Sequence, residues 1–118
     1  MIDHLFQATS TFHDTQIEGQ IELNAAHEIF EGHFPERAVL PGVCQLYIVR
    51  HLVAHHLKQR LRCLEIKEVK YLHAVLPQES PILDVQLKLN FEQEGRITVQ
   101  GSIMSQNVQM TKIKATFV

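Results

Sequence analysis

Several features are missing from this chain of 118 residues, and each absence removes a class of protein. Cysteine is scarce: Cys44 and Cys63 are the only two. They form no close pair, and a secreted disulfide scaffold needs more, so both are read as reduced thiols. No apolar run approaches the ~20 residues that cross a bilayer as a helix, and no membrane span is expected. The opening stretch "MIDHLFQATS" has neither a basic leader nor a sustained apolar run, so a cytoplasmic location is expected. Positive charge is not concentrated either. Lys+Arg number 11 against Asp+Glu 13, a formal charge of -2, with no basic run of the kind that binds phosphate backbones; nucleic acid is not an expected partner. A glycine-rich phosphate cradle and a dinucleotide fingerprint are also lacking. The segment "EGHFPERAVLPG" is rich in turn residues but has neither spacing, so no redox cofactor is implied.

What is present fits an ordinary globular protein: 45% hydrophobic and 20% charged residues. The length predicts one domain over residues 1–118 with a single modest core. In "TQIEGQIEL", Thr15, Ile17, Gly19, Ile21 and Leu23 alternate with Gln16, Glu18, Gln20 and Glu22, which predicts a strand with one dry face. From Val43 to Leu57 the apolar residues Val43, Leu46, Val49, Leu52, Val53 and Leu57 recur every three or four positions. That spacing predicts a buried helix of about four turns with little of its surface left wet. Four further strands are expected from "LRCLEIKEVKYLHAVL", "PILDVQLKLNF", "RITVQGSIM" and "VQMTKIKATFV". The second alternates cleanly, Leu83, Val85, Leu87, Leu89 and Phe91 against Asp84, Gln86, Lys88 and Asn90. Gly95 marks a hairpin turn, and Pro77 and Pro81 bracket another. The apolar phase slips by one between Ile66 and Val69, which suits a bulge or a strand leaving the core. One helix cannot cover two sheets, so the expected class is α+β: one curved antiparallel sheet laid against one helix. The open edges of such a sheet are commonly hidden by a second copy, and a dimer at least is expected.

The chemistry is concentrated in "IFEGHFPERAVLPGVCQLY", residues 29 to 47. Pro41 fixes φ, Gly42 lets the backbone lie close to whatever sits against it, and the helix that follows opens with unsatisfied N–H groups. A carbonyl oxygen held there gains hydrogen bonds that strengthen as negative charge develops on it. His33, eight residues before Pro41, carries the side chain best able to take and return a proton near neutral pH. Each feature also has a plain reading: Pro-Gly as a helix boundary, and a loop histidine satisfied by local backbone.

Taken together, "GHFP" at 32 to 35, "LPGV" at 40 to 43 and "VCQLY" at 43 to 47 resemble the signature of the hotdog-fold β-hydroxyacyl-(acyl carrier protein) dehydratases. The form "LPGVCQL" looks most like the dehydratases of aryl-polyene pigment synthesis, and "VKYLHAVLPQESPILDVQLKL" is similar to that family's Val-Lys-Phe, proline turn and following strand. The resemblance implies a hotdog fold and dehydration of 3-hydroxyacyl thioesters on an acyl carrier protein to trans-2-enoyl thioesters, without cofactor. It implies that His33 is the base, that the Gly42 N–H binds the thioester carbonyl, and that Phe34, Pro35 and Val43 shape the acyl tunnel. It also implies a dimer with the tunnel along the interface. One position departs. The acidic residue that helps the hydroxyl leave is replaced by Tyr47, which either substitutes for it as an acid or packs in a site that only binds.

Other groups near the signature are weaker candidates. Glu31 and Glu36 flank the histidine loop, with His27 and Glu28 just before it, and loop carboxylates are usually solvated. Cys44 stands in the first helical turn, where a thiolate is favoured, though a buried cysteine there is inert. Gln45 either orients substrate or faces solvent. His51 and His55 share a helical face at a spacing seen in zinc sites, but no further ligands are evident and no metal is expected. Arg50, Lys58, Arg60 and Arg62 either meet an acidic carrier protein or form a solvated rim. The competing functions are therefore a dehydratase, an acyl-binding or pseudo-dehydratase subunit of a homo- or heterodimer, and a hotdog thioesterase.

Overall fold

The computed structural model describes residues 4–31 and 38–118. A strand absent from the sequence reading comes first. β1 (Phe6–His13) pairs antiparallel with β2 (Gln16–Leu23), Phe6 opposite Leu23 and His13 opposite Gln16. Asp14 and Thr15 make the turn with φ of 48° and 64°, the left-handed pair that a two-residue hairpin demands. β1 lies at the sheet edge and is mostly exposed, so its sequence, FQATSTFH, needs no apolar alternation.

The helix α1 (Gly42–Leu57) starts after Pro41, whose φ of -60° and ψ of 147° are extended. It ends at Lys58, which turns left-handed at φ 54° and donates its N–H to the Ala54 carbonyl. The buried face is Cys44, Gln45, Ile48, Val49, Leu52 and Val53. This corrects the expected stripe: Val43 is 73% exposed, and Leu46 and Leu57 are only partly buried against the core. The expectation of a nearly dry helix is corrected as well, since His51 and His55 are exposed and Tyr47 and Arg50 partly so. The run VCQLYIV is apolar almost throughout, so it does not define a phase, and the sheet covers one side only.

Four strands follow: β3 (Cys63–Tyr71), β4 (Ile82–Phe91), β5 (Ile97–Ser105) and β6 (Val108–Phe117). All six form one antiparallel sheet in the order β1-β2-β4-β5-β6-β3. The alternation of β4 is realised, with Leu83, Val85, Leu87 and Leu89 buried; Phe91, at the strand end, is 55% exposed. The turn after β4 places Glu94 and Gly95 at φ of 61° and 72°, a left-handed backbone that glycine adopts at no steric cost. β3 is the other edge. Its register against β6 shifts between Cys63 and Glu65 and between Ile66 and Glu68, where the apolar phase slips. Along and just past this edge Leu64, Ile66, Tyr71 and Leu72 are exposed.

Candidate functional site

The start of α1 is pinned from behind. The N–H of buried Leu40 donates to the carbonyl of buried Val75 at 2.8 Å, which ties the approach to the helix to the segment after β3. The Cys44 N–H turns back to the Pro41 carbonyl at 3.0 Å, and Pro41 supplies no side-chain cap. Among the described residues, the N–H groups of Gly42 and Val43 have no acceptor. These two donors stand at the positive end of the helix, where an oxygen bearing negative charge is favoured.

Gly42 is glycine because of a close approach. A side-chain carbon built on it would overlap the hydroxyl and ring of Tyr71, with the ring carbon Cε1 at 3.0 Å. Tyr71 ends β3, and backbone bonds from Leu72 and His73 to the Met110 carbonyl hold the chain beyond it. Burial raises the Tyr71 pKa, so its hydroxyl stays protonated near neutral pH. The sequence reading missed this residue. Its signal was a glycine that something must press against, but nothing local says what.

Gln45 faces neither substrate nor solvent. It is buried, and its side-chain oxygen accepts a hydrogen bond from the Thr111 hydroxyl of β6, fixing the first turn of α1 to the sheet. Cys44 beside it is 2% exposed and burial pushes its thiol pKa up, which outweighs the attraction of the helix end for a thiolate. Cys63 is exposed, and both cysteines are free. Titration with a thiol reagent at neutral pH should therefore label one thiol per native chain and two in denaturant, with Cys63→Ser leaving none in the native protein. Rapid native labelling of Cys44 would show that the first turn opens.

Tyr47 lies on the side of the helix that meets β1. Its ring meets Phe6 edge-on at 6.3 Å, stacks on His51 at 6.2 Å, and carries the Arg50 guanidinium 5.1 Å above it. Such contacts contribute mainly as packing and cation–π attraction. Among the described residues its hydroxyl has no hydrogen-bond partner. Tyr47, Phe6, His51 and His55 line a cavity of about 510 Å³ between β1 and α1. His27, at the edge of the signature loop, accepts the Ile29 N–H on Nδ1 at 2.9 Å and caps a short 3-10 turn. His33, Phe34, Pro35 and Glu36 lie outside the described residues.

The helix histidines pair with β1: His56 Nε2 is 2.7 Å from the Ser10 hydroxyl, and the His51 ring meets Phe6. Burial first, then the neighbouring His55, lowers the pKa of both His51 and His56 below the ordinary 6.5. The unfolded chain thus takes protons first as pH falls. The stability these rings contribute is full above the unfolded value and is lost as pH drops through it towards the lower folded values. We expect a lower Tm at pH 5.5 than at pH 7.5, and a smaller fall in His55→Gln; an identical fall would show that the pair does not couple. Among the described residues, no three His, Cys, Asp or Glu side chains are grouped so as to hold a metal. Among the same residues no helix is long and apolar enough to cross a membrane.

Residues 9–111 match the ApeI-like dehydratase family, described as ApeI dehydratase. The chain belongs to that family. Solved structures agree on the architecture of this ApeI-like protein. The dehydratase heterocomplex ApeI:P from Xenorhabdus doucetiae is 21% identical over 94% of this chain and 97% of that one, with a TM-score of 0.66. An uncharacterized protein from Erwinia carotovora subsp. atroseptica is 23% identical over 95% and 92%, TM-score 0.61. A mutant thioesterase from Pseudomonas aeruginosa is 11% identical over 98% and 82%, TM-score 0.69. These likenesses show the hotdog fold expected from the sequence. A comparison with curated proteins gives no match. The ApeI-like match takes in the whole signature segment, so Gly42, Val43 and Tyr47 stand within it, as do positions 32 to 37 of the sequence.

Proposed function

We propose that this chain dehydrates 3-hydroxyacyl thioesters, carried on the phosphopantetheine arm of an acyl carrier protein, to trans-2-enoyl thioesters. The observation that carries the reading is the ApeI-like family match across residues 9–111; the two unclaimed N–H groups at the start of α1 agree with it. In this scheme His33 takes the proton from the carbon between thioester and hydroxyl. The C–H pair becomes the C=C bond, and the negative charge passes through the thioester oxygen held by the Gly42 N–H. The C–O bond then breaks and hydroxide leaves as water once protonated. Tyr47, or a water beside it, is the proposed donor, since a phenol hydroxyl can give a hydrogen bond or a proton to the departing oxygen. Phe34, Pro35 and Val43 are the proposed tunnel walls.

A second reading has a specific observation behind it. Tyr47 stands where the resembled dehydratases have an acid, and its hydroxyl has no partner among the described residues; a related structure is a dehydratase heterocomplex. On that reading the chain is an acyl-binding subunit that needs a second, acid-bearing subunit. In either case the exposed apolar edge of β3 is the proposed seat of the other subunit, identical or related, because an unpaired strand edge with Leu64 and Ile66 on it favours augmentation. Purified protein incubated with a 3-hydroxyacyl carrier protein separates the readings. Enoyl absorbance from the chain alone supports the dehydratase. Activity only after a related subunit is added supports the second reading, and release of free thiol in place of enoyl overturns both in favour of a thioesterase.

A further inference from the structure

We propose that the Tyr71 hydroxyl is a third donor of the oxyanion site, hydrogen-bonding the substrate's thioester carbonyl beside the N–H groups that open α1. The inference rests on the dehydratase reading for its substrate and on the geometry around Gly42 for its place. Three observations point the same way. The hydroxyl and ring of Tyr71 fill the position where any side chain at residue 42 would stand. The glycine is therefore kept by this phenol, because its own backbone is not in the left-handed region that would otherwise demand one. Next, the phenol is oriented by its surroundings. The β6 carbonyl of Met110 takes two N–H groups from the residues after it, and Val75 holds the residue before Pro41. The segment after Tyr71 is thus held to β6 at Met110 and to the approach to α1 at Leu40. Last, among the described residues the Tyr71 hydroxyl has no hydrogen-bond partner of its own; the residue is 49% exposed, and the buried part of its surroundings raises its pKa. A phenol with no protein partner, set against the residue whose backbone amide has none, puts two donors close enough for one acceptor to be shared. A thioester oxygen gaining negative charge is such an acceptor, and a neutral donor stabilises it without offering a base that competes with His33.

This assigns Tyr71, and not Tyr47, as the tyrosine in contact with the reacting thioester. Tyr47 then serves the hydroxyl end of the substrate or packs the cavity.

The test compares Tyr71→Phe and Tyr47→Phe with the unmodified protein. Phenylalanine keeps the ring over Gly42, so Tyr71→Phe should retain its Tm within a few degrees and lose about 10²-fold in kcat, the scale of one oxyanion donor, with KM little changed. A second measurement needs no turnover: the infrared carbonyl stretch of a saturated acyl-pantetheine thioester (butyryl, carbon-13 at the carbonyl) bound to each protein. A shift to lower frequency on binding, partly reversed in Tyr71→Phe and kept in Tyr47→Phe, supports the assignment even if the chain proves to be a binding subunit that forms no enoyl. An equal shift in Tyr71→Phe, or no shift in the unmodified protein, overturns it. Absence of enoyl with the carbonyl shift intact sinks the dehydratase reading alone.

Discussion

Gly101→Ala is expected to cost about 3 kcal/mol and to lower Tm by roughly 10 °C or more, the largest loss of stability foreseen for any single methyl group added to this chain. Gly101 lies in the middle of β5, opposite Leu87 of β4 on one side and Ile113 of β6 on the other. A side-chain carbon there would overlap the Gln86 carbonyl oxygen and stand 2.9 Å from both the Gln86 carbonyl carbon and the Leu87 Cα. These are backbone atoms of a central strand, held in register by pairs on both sides, so they yield only by moving the ladder. Gly19→Ala is the control. Its added carbon would meet Leu52 Cδ1 at 3.1 Å, the tip of a flexible side chain that can rotate away, and a change of less than ~1 kcal/mol is expected. Urea melts followed by circular dichroism decide it. Equal midpoints for the two variants would show that β4 and β5 do not approach as closely at Gly101 as described.

The same pair of glycines shows what the sequence could and could not disclose. β2 and β4 were legible because one face is dry and the other wet, so polar residues mark the period. Even the bulges of β3 left a trace in the apolar phase near Ile66. β1 left none: an edge strand that buries little has no alternation to read. In α1 the type of element was clear and its orientation was not. Because nearly every residue from Val43 to Val49 is apolar, the choice between the Val43 and the Cys44 phase is made by the sheet, which takes Cys44, Ile48 and Leu52 and leaves Val43 outside. Gln45 was misjudged for the related reason that its partner, Thr111, is supplied by a strand 66 positions away. The proposed site residues His33 and Gly42 could be named from the sequence because they lie close together in the chain. Tyr71 was hidden because β3, although it follows the helix, is carried to the sheet edge beyond β6 before its end returns to the first turn of α1. Contacts of that kind are made by topology and have no local spacing.

His33→Ala is expected to lower the rate of enoyl formation by about 10²–10⁴ while leaving the circular dichroism spectrum and Tm within a few degrees of the unmodified protein. Abstracting a proton next to a thioester needs a base that is unprotonated, positioned and regenerated, and on the proposed reading His33 is that group, its buried neighbours being poor substitutes. Burial keeps the Cys44 thiol protonated. Gln45 is committed to Thr111 and cannot accept a proton in any case. His27 already accepts a backbone N–H on Nδ1. Loss of the imidazole removes the base but not the donors at the start of α1, so binding of a saturated acyl thioester, and the lowering of its carbonyl frequency, should survive in His33→Ala. The pH dependence carries the same signature. With an imidazole as base, kcat should rise with pH as the ring loses its proton, and this limb should vanish in the alanine variant and return in part with added imidazole. Enoyl formation that keeps both its rate and its pH limb in His33→Ala would place the base elsewhere. The reading of "GHFP" as the proton-abstracting segment would then fail, even though the fold and the donors of the helix end would stand.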